Sequence, residues 1–209
     1  MTSELRWRIL SLQAVLVLVF AFLAGVAFWG AGFAHSNVKE QLAAQKITMP
    51  NTSIPAVVAG LSKEDVNALK PYSNQLMTTG TQAQAFANHY IQVHMNEATT
   101  AVMGHPATYD EVSGTYMELT GKGLAPTDPQ VAKISSLRQT VFMGTMLRGS
   151  LLQAYGWDQV ASYVLLAAYG LTLATIVVLA AFLFELVIVP RREPIIEGKT
   201  LVTRVGATA

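Results

Sequence analysis

His94 and Glu97 stand three residues apart in a stretch that reads as helix, so they share a face and could supply two ligands to a metal ion. His89 does not join them, because five residues put it about 140° from His94 around an ideal helix. A non-haem iron site of two histidines and a carboxylate would need His35 or His105 to fold back onto this face. The plainer reading is favoured: His94 bonds Tyr90 or a neighbouring helix, Glu97 stays in water, and no metal or other cofactor is expected. Arg138 and Arg148, about 80° apart in ideal helical projection, could hold an anionic group or lipid headgroups. Pairing with nearby carboxylates, or simple solvation, is the favoured alternative for both.

Other routes to catalysis lack their residues. The absence of cysteine removes thiolate nucleophiles, disulfides, thiolate metal sites and haem attachment through cysteine. There is no Gly-x-Ser-x-Gly elbow, no phosphate-binding Gly-rich loop and no His-Glu-x-x-His. An enzyme is therefore not expected.

The elements that would position these residues begin with two apolar runs, 9–33 and 160–189. Each exceeds the roughly 20 residues that cross a hydrocarbon core, and the only charge inside either is Glu185. Arg6 and Arg8 precede the first run, while Arg191, Arg192, Lys199 and Arg204 follow the second. The positive-inside rule then predicts cytoplasmic tails at 1–8 and 190–209, an exported segment at 34–159 and a plasma-membrane location. Gly32-Phe33-Ala34 loosely fits a signal-peptide cleavage site, but the length of the run and Trp29 near its end favour an uncleaved anchor. The composition, 52% hydrophobic and 13% charged, agrees with two spans.

The middle segment carries eight Lys/Arg against nine Asp/Glu, so no basic face exists for nucleic acid. Two prolines in 46–55 predict an extended stretch, and Ser62 with Asp65 predicts a short capped helix that Pro71 bounds. Thr81 with Gln84 has capping-box spacing for a helix from about Gln82 to Thr99, whose face at Phe86, Tyr90 and Val93 is predicted to be core. Thr108 with Glu111 opens the next helix, and Asp128-Pro129 a last long one that carries Ile134, Leu137 and Val141 inward and runs into the second span. The fold class is therefore an all-α membrane protein in which two transmembrane helices flank a small extracytoplasmic helical bundle.

Several strings, among them Pro71-Tyr72-Ser73-Asn74-Gln75, the run from Thr79 to His94, Thr108 to Ser113, and Thr145-Met146-Leu147-Arg148-Gly149, resemble a family of uncharacterised actinobacterial two-span membrane proteins. The resemblance implies two spans around an exported helical domain, and it implies no particular activity.

Within the spans, Ala21 with Gly25 and Gly170 with Ala174 have small-xxx-small spacing, which lets helices pack closely on each other or on a partner. Gln13, Tyr163, Tyr169, Thr172 and Thr175 could add interhelical hydrogen bonds. The expected function is a non-catalytic accessory or scaffolding subunit, with the lipid bilayer and other integral membrane subunits, or a second copy, as partners. The alternative is an exported protein that binds or senses a lipid or apolar small molecule. That alternative requires an apolar cavity between the helices that start near Gln82 and Pro129; sensing also needs an output, and about 20 tail residues are too few for a folded effector.

Overall fold

The computed structural model describes residues 3–188, so the expected C-terminal tail with Arg191, Arg192, Lys199 and Arg204 lies outside the described residues. Among the described residues six α-helices form: α1 Ser3–Ala44, α2 Lys63–Leu69, α3 Gly80–Phe86, α4 Gln92–Met103, α5 Tyr109–Gly121 and α6 Pro129–Val187. A 3₁₀ turn, Lys70–Tyr72, follows α2, and a π-helical turn, Ala87–Ile91, joins α3 to α4. Among the described residues there is no strand, only a bridge between Thr48 and Leu76. It fixes part of the expected extended stretch, with Met49 N–H donating to the Gln75 carbonyl at 2.8 Å and Met77 N–H to that of Ile47 at 2.9 Å.

Two helices, α1 and α6, are long and apolar enough to cross a membrane. The chain divides into two units, one from 3–29 with 164–188 and the other from 30–163.

In the smaller unit, sheltered positions on α1 (Arg6, Leu10, Gln13, Val17, Phe20, Ala24) recur every three or four residues, as do Leu165, Ala168, Thr172, Thr175, Val178 and Phe182 on α6. That spacing makes a seam between antiparallel helices. An Arg6 Nη donates to the Glu185 carbonyl at 3.2 Å, and Phe28 meets Tyr169 edge-on with ring centroids 5.3 Å apart. Glu185 is half-buried, and its Oε2 is shielded rather than held out in water.

The small residues at the seam are not the expected ones. Ala24 and Ala168 are buried, whereas Ala21, Gly25 and Gly170 are exposed and Ala174 is half-buried. A Cβ added at Gly25 or Gly170 would meet nothing within 4 Å. Gly25 lies one residue, about 100°, round the helix from Ala24, so the small-xxx-small pair of α1 points out of the seam. Thr172 and Thr175 also differ from expectation: their hydroxyls donate to the Ala168 and Leu171 carbonyls of their own helix, at 2.9 and 2.8 Å.

The larger unit contains α2 to α5 with residues 30–44 of α1 and 129–163 of α6. Three capping boxes set its helix starts. Ser62 and Asp65 cap α2, and Thr108 and Glu111 cap α5, both as predicted. The backbone N–H and the hydroxyl of Thr108 hold the Glu111 carboxyl below its ordinary value. The start of α3 differs: Thr79 and Gln82 form the box, two residues before the expected Thr81 and Gln84. Gln82 is buried; its Oε1 accepts from Thr78 N–H and Thr79 N–H at 2.7 and 3.1 Å, and its amide donates to Gln75 at 3.0 Å. Gly104, with φ 82°, ends α4 in the left-handed conformation that glycine adopts most cheaply. Asp128 starts α6, accepting from Gln130 N–H at 2.8 Å, with Pro129 in the first turn.

Two apolar cores hold this unit. The first joins Val38 and Leu42 of α1, Met49, Leu69 of α2, Met77, Ala83 and Ala85 of α3, Ile91, and Leu151 of α6. The second joins Val112 of α5 to Ile134, Leu137 and Val141 of α6, the three α6 positions expected to be core. The expected face of Phe86, Tyr90 and Val93 is only half-buried: Phe86 and Tyr90 pack against the first core, and Val93 is in neither. The π turn explains the difference, because its wider turn changes the helical phase and turns Ala87 and Ile91 inward.

Candidate functional site

All four histidines find separate neighbours in the larger unit. His94 Nδ1 lies 3.0 Å from Glu97 Oε2, and its ring meets Tyr90 edge-on at 4.4 Å. The other Glu97 oxygen sits where a Cβ on Gly60 would be, which places this carboxylate close against a loop glycine with φ 83°. His89 Nδ1 is 2.8 Å from Asp65 Oδ1, His35 Nδ1 is 2.9 Å from Asp158 Oδ1, and His105 Nδ1 donates to the Pro106 carbonyl at 3.0 Å. Neither His35 nor His105 folds back onto His94 and Glu97, and among the described residues no three of His, Asp or Glu converge. Glu97 is exposed to water, as expected, and also bonds His94.

The His89–Asp65 bond ties the π turn to α2. Burial acts against the Asp65 carboxylate, but hydrogen bonds from Ser62 and His89 outweigh it and hold the carboxyl below its ordinary value. A carboxyl that is more acidic folded than unfolded stabilises the fold above its unfolded value, near pH 4, and loses that contribution as pH falls through the folded one. Urea unfolding from pH 7 to pH 2 should therefore show stability falling in this window by more than it does for Asp65→Asn. Parallel curves for the two proteins would remove Asp65 from the account.

Among the described residues neither arginine forms the carboxylate pair that is one half of the favoured reading, and both are half-buried. Arg138 is covered by aromatic faces, its Cζ 4.9 Å from the Tyr116 ring centroid and 6.0 Å from that of Tyr109. Arg148 is half-buried; one Nη donates to Asn88 Oδ1 at 3.0 Å, and its Nε is shielded and has no partner among the described residues. Asn88 belongs to the π turn, so the departure from α geometry delivers the acceptor that orients this guanidinium.

Arg148 forms part of the wall of a cavity of about 500 Å³ between α4, the start of α5 and α6. Gln92, Met95 and Asn96 line it from α4, Pro106 to Asp110 from the next segment, and Val141, Thr145 and Arg148 from α6. Beside it α4 and α6 approach closely, since a Cβ on Gly144 would overlap Met95 Sδ. A second cavity of about 600 Å³ lies between residues 30–45, the end of α1 and the residue after it, and 150–157 of α6, and no charged side chain lines it. Spacing in the sequence identified Arg148 but could not reveal Asn88 or either cavity.

The cavity has the volume of a small-molecule site, apolar walls and one oriented cation. It can hold and orient a ligand, but it presents no nucleophile paired with a base. No protein-family model, no curated protein and no solved structure matches this chain.

Proposed function

We propose that this is a non-catalytic binding protein anchored by two membrane spans, whose exported unit takes a small, largely apolar ligand between α4 and α6. In this reading α1 and α6 cross the plasma membrane, both termini face the cytoplasm and residues 34–159 lie outside. The supporting observation is the cavity of about 500 Å³ between the two helices that a ligand-binding reading requires. Thr145 is exposed and lines it, so Thr145→Trp fills the space without disturbing either core. Native mass spectrometry of the protein extracted from its own membrane should show one small molecule per chain, lost in Thr145→Trp. Equal recovery from the variant would reject the cavity as its place.

A second reading, an accessory subunit of a larger membrane complex, draws on the outward small residues. Ala21 and Gly25 lie in an open recess of about 320 Å³ with Phe22, Val26 and Trp29, a shape that accepts a side chain from another helix. Gly170→Leu should then reduce co-purification of partner subunits while leaving the fold intact, since a side chain there meets open space. Unchanged recovery of partners would count against this surface.

A further inference from the structure

We infer that the ligand of the cavity between α4 and α6 is an organic anion, and that Arg148 holds its carboxylate or phosphate; this deepens, and rests on, the ligand-binding reading above. Arg148 is the only cation among the residues that line the cavity. Its guanidinium stays charged at any physiological pH. It is partly withdrawn from water, its Nε is shielded, and no carboxylate pairs with it among the described residues. The bond to Asn88 orients the guanidinium without neutralising it, because an amide carries no charge. Arg138 makes the contrast, since two tyrosine rings cover it. A half-buried charge with no counter-charge is unfavourable, and an anion arriving at the Arg148 end of the cavity would replace that cost with charge-assisted hydrogen bonds.

The rest of the lining indicates what the anion carries. Asp110 is the only carboxylate in the wall, and charge complementarity favours an anion against Arg148 rather than against it. Met95, Pro106, Ala107 and Val141 supply apolar surface beside it. At about 500 Å³, against the roughly 30 Å³ that a water molecule takes up in the liquid, the space suits a molecule with a hydrocarbon body rather than a bare ion.

The test uses the full chain in lipid nanodiscs, with the methionine methyl groups labelled and Met95 as the local NMR reporter. Octanoate and octyl phosphate should shift the Met95 signal saturably, with affinities at least about tenfold above that of the neutral octanol. Arg148→Gln should bring both anions down to the level of octanol. Where that variant loses its folded spectrum, the unmutated protein supplies the same information: binding of octanoate should weaken with added salt and that of octanol should not. Inorganic phosphate binding as well as octyl phosphate would support the anion site but assign it to a free ion. Octanol binding as well as octanoate, with no salt dependence, would overturn the anion and leave an apolar ligand standing. No shift of Met95 by any of the four would count against the cavity itself.

Discussion

Replacing Leu151 by alanine should cost about 3 kcal/mol, enough to leave the larger unit only marginally folded. Leu151 is fully buried on α6, in the core that also takes Val38 and Leu42 from α1, Leu69 from α2 and Ile91 from the π turn. The deleted side chain thus leaves a gap in a core that joins three other parts of the chain to α6. Collapse around the gap is limited because α1 and α6 are long helices with partners elsewhere along their length. Thermal or urea unfolding of the purified protein measures the change. A loss under about 1 kcal/mol would mean that this core is not packed as described.

Alanine at Gly80 should be nearly as damaging, at about 2 to 3 kcal/mol, although it adds a single methyl group. The new Cβ would lie 2.5 Å from Asp158 Cβ and 2.9 Å from the Tyr155 Cα. The second contact is backbone, which no rotamer change can move aside. Asp158 is moreover held by His35, so the first turn of α3 cannot shift without disturbing that pair. Gly144→Ala is the control: its Cβ would meet only the Met95 side chain, which can bend away. Equal melting temperatures for the Gly80 and Gly144 variants would show that α3 does not approach α6 this closely.

Much of the helical outline was legible because helix ends are written in local chemistry. Ser62 with Asp65, Thr108 with Glu111 and Asp128-Pro129 satisfy their own helix starts, and each does so in the structure. The stripe of Ile134, Leu137 and Val141 was readable for a related reason: an unbroken helix keeps its periodicity. Local chemistry failed at α3, where Thr79-Gly80-Thr81-Gln82-Ala83-Gln84 contains two overlapping boxes of equal merit. Burial of the Gln82 amide against Gln75 decides between them, and that contact is tertiary.

Periodicity failed at the π turn, since nothing in Ala87-Asn88-His89-Tyr90-Ile91 marks a wider turn. The aromatic residues therefore read as core, while the small Ala83, Ala85 and Ala87 form it. In the spans the error was one of phase: in alanine-rich helices a small pair can be found on almost any face, and only a facing helix distinguishes Ala24 from Gly25. Arg148 was visible as a residue, but its lack of an ion pair among the described residues was not, because that depends on which side chains the tertiary packing of α4, α5 and α6 brings to it.

A crystal structure of the full chain purified in mild detergent from its native membrane would test the ligand-binding account most directly. The account predicts density for one organic molecule between α4 and α6, with an anionic group against Arg148. Solvent alone in that cavity, with other membrane subunits seated on Ala21, Gly25 or Gly170, would contradict it and make the chain an accessory subunit.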